Sequence, residues 1–311
     1  MRDKPGEGLV LLTLNIAIML WGFSGVFGKW VEVDAFNLTF WRMFIALIPL
    51  LLLYFIRNKG TFEFNISLCI KNFISAILLA GHWISFFIVI KLSTIGLGII
   101  FSTAFVFIVA FTEPLIFRSN YNFKTLLASL IGGGGLIVAL FSNIFEATLE
   151  VWIYGLATAI CLAALSLFNR KYLIKEDTLN CMTAQFLYGS LILLPLGFIG
   201  ITDFFSLSAD SIGKLLILGI LTTAIGHTIY FWSLRHITAT KASMLTLLEP
   251  VYGILFGLLF FSEIPDTPMV IGSTIVILCA CSVAFTSSIT QDHLNATKEN
   301  NTPNSNDNTT G

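Results

Sequence analysis

The sequence predicts an all-α integral membrane protein with ten transmembrane helices arranged as two inverted five-helix repeats. Composition is the first observation behind this reading. Hydrophobic residues make up 56% of the chain and charged residues 11%, against roughly 25% charged residues in a soluble domain. The second is length: apolar windows of about 20 residues, enough to cross a hydrocarbon core about 30 Å thick, recur between short polar joints. The third is a repeat. GHWISFF at Gly81–Phe87 and GHTIYFW at Gly226–Trp232 carry Gly, His, Ile and Phe in the same four places, 145 residues apart.

Taken in order, the windows place helices over residues 9–29, 36–56, 70–90, 95–117, 124–141, 151–170, 179–199, 213–234, 239–261 and 268–287. The first is longer than a signal-peptide core and has no small-x-small cleavage site behind it, so it is expected to be retained. The second holds Arg42 beside Trp41, the third His82, and the fourth Glu113 close to Arg118. Gly132–Gly135 give the fifth a small-residue face. The sixth ends on Arg170 and Lys171, the eighth holds His227, and the ninth carries Glu249-Pro250. Joints this short leave no space for a second globular domain. Beyond Ile289 the chain turns polar and Asn-rich, and residues 289–311 are expected to form a disordered cytoplasmic tail.

Lys and Arg test the count, because cytoplasmic joints retain them. With both termini inside, the inner face receives Arg2, Lys4, Arg57, Lys59, Lys71, Arg118, Lys124, Arg170, Lys171, Lys175, Arg235, Lys241 and Lys298. The outer face receives Lys29, Lys91 and Lys214. That asymmetry supports ten spans in a plasma (inner) membrane with the N- and C-termini cytoplasmic.

The repeat offset maps the third helix onto the eighth and the fourth onto the ninth, giving repeats over residues 8–145 and 146–288. An odd number of spans per copy makes the second copy enter from the opposite face. Inverted repeats place a solute site near mid-depth between the copies, a site that can face either side in turn.

Several function classes drop away. A net charge of −1 offers no field for nucleic acid. The five cysteines sit in apolar segments without metal-ligand spacing, and no P-loop, His-rich metal cluster or Gly-x-Ser-x-Gly motif occurs. No cofactor, no metal and no enzymatic activity are expected. Without a P-loop, movement runs down the solute's own gradient or is coupled to an ion, and the buried Glu and His point to protons.

Ionisable side chains inside spans cost at least about 2.5–3.5 kcal/mol and mark cavities or partners. Glu249 is the leading candidate, for a substrate amine or for proton coupling. It shares a face with Ser243, Thr246, Gly253 and Gly257. Pro250 removes a backbone hydrogen bond and favours a bend there. The alternative is a structural carboxylate. His82, with Trp83, Phe86 and Ser85, and His227, with Tyr230 and Phe231, give polar tips among aromatics, suited either to lining a passage or to interhelical hydrogen bonds. Arg42 either snorkels to the interface or offers a fixed charge to a carboxylate. Glu113 is expected to pair with Arg118. Trp21 joins the substrate-binding candidates from a helix face where Gly22, Gly25 and Gly28 suit close packing.

LWGFSGVFGKW in the first helix, FWRMFIALIPLLLL in the second and LLEPVYGILFGLLFFSEIP in the ninth, the last with Glu249, Pro250 and Glu263, resemble the drug/metabolite transporter superfamily in its EamA-type branch, over residues 8–288. The resemblance implies a secondary transporter of a small organic solute, such as a metabolite, amino acid or drug-like compound, working by alternating access as an exporter, as a monomer or a homodimer. The first-half counterpart of Glu249-Pro250 is Ala104-Phe105, so the fourth helix is expected to be straighter at mid-depth than is usual in the family. Two other readings stay open: a membrane-embedded enzyme using His82, His227 and Glu249 as acid/base groups on a lipid-linked substrate, and a non-transporting scaffold.

Overall fold

The computed structural model describes residues 5–58, 65–120, 123–139, 141, 147–199, 205, 207–262, 264–279 and 281–282. Glu263, the cations Arg2, Lys4, Lys59 and Lys298, and the tail 289–311 lie outside the described residues. Eight of the described helices are long and apolar enough to cross a membrane: α1 (Glu7–Trp30), α2 (Ala35–Arg57), α3 (Ile66–Leu92), α4 (Ile95–Phe117), α6 (Leu149–Leu173), α7 (Thr178–Ile199), α8 (Ala209–Leu234) and α9 (Ala239–Phe260). Two shorter helices complete the order, α5 (Phe123–Ala139) and α10 (Thr267–Cys279). The protein is an all-α, multi-pass membrane protein.

Backbone groups in lipid must be satisfied within the chain, which is why the spans are helical. Most helices start on a polar residue that accepts a hydrogen bond from a backbone N–H of the first turn. Asn65 does this for α3, Thr94 for α4, Thr148 for α6, Ser208 for α8 and Thr238 for α9. Asp34 caps α2 most completely: Oδ1 accepts from Phe36 N at 2.8 Å and Asn37 N at 3.0 Å, and Oδ2 from Asn37 Nδ2 at 2.5 Å. Asp177 caps α7 and also pairs with Arg57 at 2.8 Å, tying the end of α2 to the α6–α7 joint. Leucine, isoleucine and phenylalanine side chains such as Leu12, Leu52, Leu156 and Leu259 remain exposed on the outside of the bundle, the surface a bilayer covers.

The helices interleave across the two halves. α3 packs on α6 and α7, α2 on α7 and α8, α1 on α8 and α9, and α4 on α6 and α9. Exchanging each helix with its counterpart five places along returns the same set of neighbours. One core runs through these contacts, centred on Leu14, Ile18, Phe27, Leu38, Met43, Phe87, Phe105 and Phe186.

Two spans are jointed at positions that the 145-residue offset nearly superposes. In α9 the helix breaks between Ala239–Thr246 and Glu249–Phe261, with Leu247 and Leu248 bonded to the third residue back. In α4 the break falls at Ala104, between Ile95–Thr103 and Phe105–Phe117. A straighter α4 was the expectation; without a proline, Ala104 N keeps its ordinary bond to Ile100 O at 3.0 Å and adds one to Phe101 O at 3.3 Å, and Phe107 N bonds Ala104 O. Two further departures are π-helical: Asn169–Leu173 at the end of α6 and Leu218–Ile225 within α8.

Candidate functional site

The joint in α9 presents Glu249 to the middle of the bundle. There a small cavity is lined by Trp21 and Ser24 of α1, Arg42 of α2, His82, Trp83 and Phe86 of α3, Ser102 of α4, Leu162 of α6, His227 of α8 and Glu249 itself. Of the substrate-binding candidates named from the sequence, Trp21, Arg42, His82, Trp83, Phe86, His227 and Glu249 share this wall, and Tyr230 does not. Tyr230 lines an adjoining cavity that shares Trp21, Leu162 and His227 with the first. Glu249, Arg42, His82 and His227 are all buried. The central cavity gives the centres of water-sized molecules about 20 Å³, space for little more than one water. This conformation closes tightly around the charged groups.

Arg42 does not snorkel. Its side chain is buried, with Nε donating to Thr223 Oγ1 at 2.8 Å and the guanidinium carbon 3.9 Å from the centroid of the Trp83 ring. A guanidinium this far from water needs several partners, and a desolvated cation–π contact contributes about 2 kcal/mol, less than the cost of burying the charge. Glu249 lines the same cavity and interacts with it electrostatically. Arg42 Nη1 and Trp21 Nε1 have no hydrogen-bond partner among the described residues. A buried donor left so costs about 1–3 kcal/mol. Two donors without acceptors therefore share the wall of the central cavity with a carboxylate.

The two histidines, equivalent by sequence, have different surroundings. His82 Nδ1 lies 3.1 Å from the Thr158 carbonyl and 2.8 Å from Thr158 Oγ1, while the Thr158 hydroxyl also reaches the His82 carbonyl. It fastens α3 to α6. His227 stands between indoles, with ring centroids 4.5 Å from Trp21 and 4.8 Å from Trp83. Tyr230 packs on Trp21 at 4.8 Å and shares a 2.9 Å hydrogen bond with Ser166. On the polar face of α9, Ser243 and Thr246 bond their own helix carbonyls, whereas Gly253 and Gly257 line a further cavity.

Glu113 pairs with a different arginine from the one expected. Its oxygens accept from Ala239 N at 2.8 Å and Thr240 N at 2.6 Å, capping α9, and it lies 3.9 Å from Arg170. Arg170 Nη1 donates to the carbonyls of Leu234 and Ile237. Glu113 and Arg170 thus hold the two ends of the α8–α9 joint, an arrangement invisible in the linear spacing of Glu113 and Arg118. The glycines of α1 pack closely, as expected. A Cβ at Gly22 would stand 2.7 Å from Tyr252 Cβ and 3.0 Å from Glu249 O.

Four cavities follow one another through the bundle. One at the α1 C-terminal end includes Lys29, Val26, Pro250 and Gly253. The central one holds Trp21 and Glu249. The third holds Ser166, Asn169, Gln185 and Tyr230. The last, at the α1 N-terminal end, holds Glu7, Arg170, Arg235 and Lys241. Along α1, α6, α8 and α9 the lining residues succeed one another in that order. Sequence reasoning missed Ser24, Ser102 and Leu162 of the centre and Thr223 behind Arg42. Ser24 lies three residues after Trp21 and Thr223 four before His227, spacings that put each on its neighbour's helix face.

The EamA-like transporter family profile matches the chain twice, over residues 8–141 and 150–285. An uncharacterised transporter of Archaeoglobus fulgidus is 22% identical over 86% of this chain and 94% of its own length. One of Bacillus subtilis is 23% identical over 86% and 94%. An S-adenosylmethionine uptake transporter of Rickettsia prowazekii is 22% identical over 79% of this chain and 81% of its own. A solved crystal structure superposes with a TM-score of 0.73 over 90% of this chain and 98% of that one, at 14% identity, a likeness of fold.

Proposed function

The chain belongs to the EamA-like transporter family, and from that membership we propose that it carries a small zwitterionic organic solute across the plasma membrane by alternating access. That it is a membrane transporter of a small-molecule solute follows from the family; the solute class and the cycle are the proposal. One observation carries the solute class: Arg42, Trp21 and Glu249 meet at a closed central cavity. An acid group of the solute accepts from Arg42 Nη1 and Trp21 Nε1, and its cationic group meets Glu249. Trp83, Phe86, His227 and Tyr230 give aromatic surface for the remainder. The Rickettsia prowazekii relative is an S-adenosylmethionine uptake transporter, and S-adenosylmethionine carries both kinds of charge, which supports this reading.

Alternating access is supported by the neighbour pattern, unchanged on exchanging the two halves, and by the doubled family match. Residues 8–145 and 146–288 are proposed as inverted repeats, with both termini cytoplasmic by the Lys/Arg bias. Glu249 is the proposed proton-coupling group, since a carboxylate facing the solute's cation binds either the cation or a proton. Export is the proposed direction, from the sequence resemblance alone; the Rickettsia prowazekii relative is an uptake transporter.

The test uses purified protein in sealed vesicles. Counterflow of labelled amino-acid-like zwitterions is expected, with acceleration by an imposed proton gradient. Glu249→Gln is expected to abolish the acceleration and to weaken cation recognition. Product formation without sealed vesicles, or uptake indifferent to Arg42 and Glu249, would overturn the proposal.

A further inference from the structure

We propose that the cavity at the α1 N-terminal end of the bundle is a binding site for a phosphate group, separate from the central site and independent of what the protein transports. The cavity has about 360 Å³ for the centres of water-sized molecules, the most of the four described. Three basic side chains reach it from three segments: Arg170 from the end of α6, Arg235 from the α8–α9 joint and Lys241 from the first turn of α9. His236 joins them. Against these stands, among the described residues, one lining carboxylate, Glu7, which pairs with Lys241.

The cations keep donors in reserve. A guanidinium has five N–H donors and an ammonium three. Arg235 uses Nη1 on Thr178 at 3.2 Å. Arg170 uses Nη1 on the Leu234 and Ile237 carbonyls and turns Nε toward Glu113 at 3.9 Å. Glu113 lies behind the wall with both oxygens held by backbone N–H groups. Counting it with Glu7, the three basic side chains among the described residues still exceed the carboxylates by one, and a phosphate group of one to two negative charges fits that excess.

Pro5, Val10 and Ile237 give the same cavity an apolar side, so the phosphate fits best as a monoester or diester with an organic part. The Lys/Arg bias puts this end in the cytoplasm, where two sources offer that chemistry: free phosphate compounds and the headgroups of anionic inner-leaflet lipids. Lys241 lies in the first turn of α9, so a bound phosphate competes with Glu7 for the residue that ties α1 to α9.

The experiment takes the full chain in phosphatidylcholine nanodiscs and titrates inorganic phosphate by calorimetry at constant ionic strength. In parallel, detergent-solubilised protein is offered phosphatidylglycerol and its retention is read by native mass spectrometry. Saturable phosphate binding assigns the free source; retention of phosphatidylglycerol alone assigns the lipid. Arg235→Gln and Lys241→Gln are each expected to weaken binding about tenfold, as loss of a charge-assisted hydrogen bond does. Helix content by circular dichroism confirms that each variant is folded. Arg235→Gln, which gives up only the Thr178 bond, remains the decisive variant if Lys241→Gln unfolds. Neither ligand binding to the native protein, or binding unchanged in a folded Arg235→Gln, overturns the proposal.

Discussion

Arg42 and Trp83 form a stacked pair in the core, the guanidinium carbon 3.9 Å from the indole centroid. The plane of the guanidinium matters as much as its charge. Lysine offers a point charge on a flexible stem and cannot keep both the stack and the Thr223 bond. Arg42→Lys is therefore expected to lower counterflow at least about tenfold, whereas Trp83→Phe, which retains an aromatic face, is expected to lower it less. Initial rates in vesicles check the order; equal rates for wild type and Arg42→Lys would remove the guanidinium from the site.

Trp21 Nε1 gives a cleaner probe of the same wall. Trp21→Phe keeps a ring against His227 and Tyr230 but deletes a donor that has no described partner. Stability is expected to change by under about 1 kcal/mol, since no internal hydrogen bond is broken. Solute affinity is expected to fall by roughly fivefold to tenfold, because a bond made only to the solute is lost. Thermal unfolding with and without solute separates the two effects.

Asp34 predicts an acid-labile α2. Burial works against its charge, but the hydrogen bonds from Asn37 and from the backbone N–H groups of Asn37 and Phe36 outweigh it and hold the carboxyl below its ordinary value. The folded pKa is depressed, so this contribution is fully present above the ordinary aspartate value and is lost as pH falls through the lower, folded value. Asp34→Ala is expected to cost about 1 kcal/mol near neutrality and to unfold with a shallower loss of stability between about pH 5 and about pH 3 than the wild type.

Two glycines separate hard from soft packing. A Cβ at Gly272 would collide with Gly135 O and Ala139 N, both backbone atoms where α5 crosses α10. At Gly189 the nearest atoms are Met43 Cε and Sδ, the movable end of a flexible side chain. Gly272→Ala is expected to destabilise by about 3 kcal/mol and Gly189→Ala by about 1 kcal/mol or less. Thermal unfolding in detergent gives the comparison, and an inverted order would mean that the α5–α10 crossing is looser than described.

Glu113 predicts a graded loss. Glu113→Ala leaves two N–H groups of α9 and the Arg170 guanidinium without their acceptor and is expected to cost roughly 3 kcal/mol. Glu113→Gln retains one acceptor oxygen and is expected to cost about 1 kcal/mol.

The sequence makes legible what depends on composition, period and repeat. Apolar windows locate the spans because lipid enforces helices of a set length, and the ionisable residues within them led to Glu249, His82, His227 and Arg42 because burying charge needs a purpose or a partner. What it left unread are contacts between helices distant in the chain. Nothing near His82 in sequence points to Thr158, nor anything near Glu113 to Arg170 or to the first turn of α9. For Arg42 the sequence left interface and interior both open; the Thr223 hydroxyl and the Trp83 face that hold it inside come from other helices. The joint in α4 was missed because proline is a sufficient cause of a break and not a necessary one.

The wide-wound stretch Leu218–Ile225 joins chemistry to mechanics. Thr223 Oγ1 both donates to Leu218 O, five residues back, and receives the Arg42 guanidinium. A π-helical turn holds one residue more than an ordinary turn, so rewinding it would lengthen α8 by about 1.5 Å per residue released and twist the segment bearing His227 and Tyr230. Arg42 is thereby hydrogen-bonded to the under-wound turn that precedes His227 on α8.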